Sequence, residues 1–106
     1  MDTTTDRELD KLVQRIVDAV HPLKIILFGS AARGEMGPDS DFDLLVVMPD
    51  GTHRRHTAQH LYGVITGVKV PYDIVVATPM DLEKHGNDIG LIYYSVLKEG
   101  KMLYAA

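Results

Sequence analysis

Ile25-Ile26-Leu27-Phe28-Gly29-Ser30-Ala31-Ala32-Arg33-Gly34, followed by Asp39-Ser40-Asp41-Phe42-Asp43-Leu44-Leu45-Val46-Val47, is the stretch that decides the fold. An apolar run stops at Gly-Ser. A segment of small residues and a turn containing Gly37-Pro38 follow, and then two carboxylates one residue apart open a second apolar run. Leu44 to Met48 is continuously apolar and strand-forming, which predicts a strand buried on both faces. Successive side chains of a strand point to opposite faces, so Asp41 and Asp43 share one face and Phe42 turns to the other, into core. Two like charges held a few Å apart repel, and they stay ionised without penalty when a cation sits between them. The pair therefore points to a hard divalent ion bound through oxygen. The first half supplies the complement. Gly29 lets backbone approach a ligand closely and Ser30 adds a hydroxyl. A short helix opening at Ser30 would aim free N–H groups at an anion. Anion cradle plus metal carboxylates is the inventory for a nucleoside triphosphate with magnesium.

Gly29-Ser30, a ten-residue gap and then Asp41-x-Asp43 resembles the signature of the DNA polymerase beta-type nucleotidyltransferase superfamily. The form Gly-Ser-x-Ala-Arg-Gly…Ser-Asp-x-Asp-Leu is most similar to its minimal nucleotidyltransferase (MNT) branch. The resemblance implies an α/β (α+β) fold: a single domain over residues 1–106, built as a small mixed β-sheet flanked by helices. It implies transfer of a nucleoside monophosphate, AMP from ATP, to a hydroxyl with release of pyrophosphate. On the matching positions it makes Asp41, Asp43 and Asp73 the catalytic and metal-holding carboxylates for one or two Mg2+ ions. Gly29, Ser30, Arg33 and Ser40 become the nucleotide-binding residues. Members of this branch pair with a HEPN-domain toxin as its antitoxin. The implied acceptor is a tyrosine of that partner.

Composition sets bounds. A chain of 106 residues is one domain, and it buries roughly two-thirds of its unfolded surface. There is no cysteine, so neither disulfides nor thiolate metal sites are available, and a cytoplasmic location is expected. The acidic, polar start Met1-Asp2-Thr3-Thr4-Thr5-Asp6 is unlike a signal peptide, and no apolar run approaches a membrane span. A net charge of −4 argues against non-specific binding to long nucleic acid, which needs a basic surface, but not against a nucleotide whose charge a metal offsets.

Around the central unit, Thr5 to Glu8 fits a capping box, and Leu9, Leu12, Val13, Ile16, Val17 and Val20 recur at helical spacing. Residues 6–20 are thus predicted as an amphipathic helix with its charges on a solvated face, stopped by His21-Pro22. Leu23 to Phe28 is the first strand and Ser30 to Gly34 the cradle turn. Arg33 has two readings, a surface cation or a contact to triphosphate or carboxylate. After the turn Pro49-Asp50-Gly51-Thr52, a helix is predicted over 53–66, with Ala58, Leu61, Val64 and Ile65 facing the core and Gly67 ending it. His53, His56 and His60 share a face, but no carboxylate or cysteine completes a zinc site nearby. Arg54-Arg55 reads as solvated in preference to phosphate-binding.

Val68 to Ala77 is predicted as a third strand. Its mid-strand Asp73 needs a partner or a task. Lys69 is one possible partner, and a third site carboxylate is the functional reading. Pro71 marks an edge or a bulge. Thr78-Pro79-Met80-Asp81 opens a short helix reaching about His85, with Thr78 as N-cap. Ile89 to Lys98 is a last helix stopped by Gly100, and Lys101 to Tyr104 a final edge strand. Two other functions remain open: a module that neutralises its partner by contact alone, and a nucleotidyltransferase acting on a small hydroxylated molecule. The first would survive loss of the Asp pair. The second would turn over without a protein acceptor.

Overall fold

The structure is a computed structural model that describes residues 3–34, 41–83, 96 and 99–106. Helix α1 runs from Thr3 to Val20 and buries Leu9, Leu12 and Ile16, three residues at heptad-like spacing that form its core stripe. It stops where His21 takes a positive φ of 47° and returns its N–H to the Val17 carbonyl, with Pro22 buried behind it. Strand β1 (Lys24–Phe28) passes directly into a single helical turn, α2 (Gly29–Ala32). Strand β2 (Phe42–Val47), helix α3 (Arg54–Val64), strand β3 (Tyr72–Ala77), the short helix α4 (Pro79–Glu83) and strand β4 (Lys101–Ala105) follow.

The four strands form one mixed sheet in the order β3-β2-β1-β4. β1 is antiparallel to both neighbours, whereas β2 and β3 are parallel and joined through α3. One face carries Ile25, Leu27, Phe42, Leu44, Val46, Ile74 and Val76 against α1 and α3. The opposite face carries Ile26, Leu45, Val47 and Ala77, with Leu82 of α4 and Val96 packed on it. β2 is therefore buried on both faces, as its unbroken apolar run predicts. β3 is an edge strand of the sheet. Pro71 precedes it, its carbonyl accepting the Phe42 N–H at 3.0 Å, so the residue that lacks a donor stands ahead of the first paired position, Tyr72.

Several local expectations are corrected. Helix α1 already runs from Thr3, so Thr5 is not its N-cap and Glu8 is not the closing residue of a capping box. Glu8 is buried, its carboxylate accepting the Lys69 N–H at 2.7 Å and Lys11 Nζ at 3.2 Å. That long-range bond ties the backbone at Lys69 to α1, and β3 starts at Tyr72, not at Val68. The third helix ends at Val64, which is 42% exposed and not core-facing; Ile65, extended at φ −74° and ψ 117°, is the buried residue, and Gly67 lies beyond the helix. α4 has the expected cap: Thr78 N–H and Oγ1 both donate to Asp81 Oδ2, at 3.0 and 2.9 Å, and Asp81 N–H returns to Thr78 Oγ1 at 3.3 Å. The helix expected over 89–98 lies outside the described residues, although Gly100 N–H does bond the Val96 carbonyl at 2.7 Å.

Candidate functional site

The candidate residues gather at one end of the sheet because of strand direction. β2 and β3 begin where the antiparallel β1 finishes, and the register pairs Phe28 with Asp43 and Asp43 with Asp73. Alternation then puts Asp43 and Asp73 side by side on the same face, with Asp41 just ahead of β2 and exposed. Phe42, between the two aspartates, is fully buried on the other face and anchors them.

Gly29 completes the corner. Its φ is +74°, and a Cβ placed on it would collide with the Asp43 carboxylate. Only glycine meets both conditions, so the Gly-Ser turn lies in contact distance of the acid pair. Behind it Ala31 and Ala32 are buried in the core, which is why this turn is built of small side chains. Arg33 N–H bonds back to the Gly29 and Ser30 carbonyls, at 3.3 and 3.2 Å. The N–H groups that open a helical turn lack such intrahelical acceptors, and here they belong to Gly29, Ser30 and Ala31.

The electrostatics follow from this crowding. Partial burial pushes the Asp43 carboxyl above its ordinary pKa, and the charges of Asp73 and then Asp41 push it the same way. The donor set is all hard oxygen, as a magnesium site requires, and the Gly29 notch leaves room beside Asp43 that a side chain would fill. Among the described residues no three ligating side chains close into a finished metal cage. An ion held here would complete its shell with water and phosphate oxygens, the usual habit of magnesium.

Other predicted positions fall differently. Arg33 is exposed and pairs with Glu99, Nη1 to Oε2 at 3.0 Å. Ser40 lies outside the described residues. Asp73 is hydrogen-bonded not to Lys69 but to Tyr62, whose hydroxyl lies 3.0 Å from Oδ1. No sequence signal marked Tyr62, because the contact joins a helix to a sheet edge. A groove of about 620 Å³ lies at the start of α3 against Thr52, His53, Arg54 and Arg55, away from the carboxylates. There His53 Nδ1 accepts the His56 N–H and their rings stack at 3.8 Å, while Arg54 Nε lies 3.4 Å from Asp81 Oδ2.

A Gly-Ser turn abutting in-register carboxylates is the arrangement that nucleotidyl transfer uses. The family model for the nucleotidyltransferase domain matches residues 7–102, and the chain belongs to that family: it is a nucleotidyltransferase. No curated protein matches it in sequence. Among solved structures it is similar to a toxin–antitoxin complex with AMP-PNP, with a TM-score of 0.64 and 24% identity over 92% of this chain and 73% of that one. It is also similar to a tri-AMPylated Shewanella oneidensis HEPN toxin in complex with its MNT antitoxin, with a TM-score of 0.58 and 21% identity over 95% and 72%. A spectinomycin adenyltransferase from Enterococcus faecialis with ATP and spectinomycin gives a TM-score of 0.63 and 13% identity, covering 93% of this chain and 54% of that one. These likenesses show a shared fold.

Proposed function

We propose that this chain is a magnesium-dependent adenylyltransferase that moves AMP from ATP to a tyrosine hydroxyl of a HEPN-domain toxin and so acts as its antitoxin. The observation that carries the chemistry is the Gly29 turn pressed against Asp43, with Asp73 in register beside it. The partner is suggested by the toxin–antitoxin complexes that share the fold.

Asp41, Asp43 and Asp73 are the residues that would hold magnesium. Magnesium, when bound, neutralises triphosphate charge and lowers the pKa of the attacking hydroxyl. The N–H groups of Gly29 and Ser30, with the Ser30 hydroxyl, hold the β- and γ-phosphates. α2 is one turn long, so these individual donors matter more than any helix dipole. Ser40 and Arg33 add contacts by family resemblance, and Arg33 must share its guanidinium with Glu99. Asp73 accepts the proton of the acceptor hydroxyl. The oxygen of that hydroxyl forms a bond to the α-phosphorus, and the bond to the leaving pyrophosphate breaks. Label from ATP carrying radioactive α-phosphate should pass to the partner, and label at the γ-phosphate should not. Asp41→Asn or Asp43→Asn should abolish the transfer with the fold retained; transfer surviving in both variants refutes the assignment.

A further inference from the structure

Asp73 stands on the edge strand and is exposed, so the ladder to β2 fixes its backbone but not its carboxylate. Tyr62 supplies what is missing. It reaches from α3, its ring lying parallel to that of Tyr72 with centroids 5.8 Å apart and planes 10° apart. Its hydroxyl meets two groups at once: Ile74 N–H at 2.8 Å and Asp73 Oδ1 at 3.0 Å. A phenol has one proton. Since the Ile74 N–H can only donate, the hydroxyl accepts there and must give its proton to Asp73. The direction of both bonds is thereby fixed, and the donor sits on a side chain with only two rotatable bonds. The bond takes one carboxylate oxygen of two, which sets the orientation of the other.

We propose that Tyr62 is the positioning residue for Asp73, holding the third carboxylate of the site in the orientation that metal and acceptor require. The inference rests on the metal-dependent reading of Asp73 given above. It differs from a purely structural role, in which Tyr62 would only cover the Ile74 N–H on the sheet edge.

The test uses the full chain with Mn2+ and ATP, Mn2+ binding being read by electron paramagnetic resonance. Tyr62→Phe keeps the ring and removes the hydroxyl. Loss of an outer partner of a metal ligand costs about 10- to 100-fold in metal affinity, so Mn2+ should bind about tenfold more weakly. In an Asp73→Ala background, which removes the acceptor, the same change should have no further effect. With a partner tyrosine as acceptor, kcat should fall and the KM for ATP should hold. Circular dichroism and Tm separate these effects from unfolding. Unchanged Mn2+ affinity in Tyr62→Phe, or an equal loss in the Asp73→Ala background, overturns the inference alone. A wild-type chain that binds no Mn2+ with ATP overturns both the inference and the metal-dependent reading beneath it.

Discussion

Gly29→Ala tests whether the Gly-Ser turn and the acid pair are one construction. The variant must place an alanine at φ +74°, which costs about 1–2 kcal/mol for a residue with a Cβ. The new Cβ also overlaps Asp43 Oδ2. A carboxylate is the far end of a side chain and can turn away, at about 0.5–1.5 kcal/mol for leaving its rotamer well. The sum is centred near 2.5 kcal/mol, which is roughly 10–20 °C of Tm for a domain of this size. The displaced carboxylate should also cost about 100-fold in transfer, the usual toll of a misplacement near 1 Å. Thermal unfolding and ATP-dependent transfer are measured for wild type, Gly29→Ala, Asp43→Ala and the double variant. Where Asp43 is already alanine the overlap is gone, so Gly29→Ala should then cost only the backbone part, about 1–2 kcal/mol. Equal cost in both backgrounds, or full transfer activity in Gly29→Ala, refutes the reasoning.

Asp43 has a raised pKa, so its contribution to stability is present below the ordinary value of 3.8 and lost as pH rises through the folded value. Asp43→Asn should therefore raise Tm at pH 7 in metal-free buffer while abolishing transfer, as read by calorimetry and label incorporation. Glu8 has the opposite sign. The Lys69 N–H chiefly, with Lys11, holds its pKa low, so its stabilisation is present above the ordinary value of 4.5 and lost as pH falls through the folded value. Glu8→Gln should flatten the acid limb of the Tm-versus-pH curve. Phe42→Ala, which empties a fully buried site between the two aspartates, should cost about 3–5 kcal/mol in urea unfolding. Thr78→Ala removes the α4 cap and should cost about 1 kcal/mol, with transfer unaffected.

The features legible in the sequence were those whose physics is local. Gly29-Ser30 and Asp41-x-Asp43 announce themselves because a strand end, a turn and a two-residue period lie within one short stretch. The doubly buried β2 follows from its unbroken apolar run. Asp73 was readable because a carboxylate inside a strand conflicts with strand burial. The register that sets it opposite Asp43 was visible only in the fold. The misreadings share one cause. Glu8 satisfied a local capping pattern, yet a backbone donor distant in sequence claimed its carboxylate. Tyr62 gave no sign at all, because its meaning depends on α3 lying along the β3 edge. Arg33 was ambiguous for a similar reason, its ion-pair partner Glu99 being far along the chain.

The central claim is that this site moves AMP onto a partner protein. Intact-mass spectrometry of the HEPN-domain partner proposed above tests it most directly, after incubation with the chain, magnesium and ATP. Wild type should add the mass of one or more AMP groups to a partner tyrosine, and the Asp41→Asn, Asp43→Asn variant should add none. A partner left unmodified by wild type, or modified equally by the variant, would contradict the account.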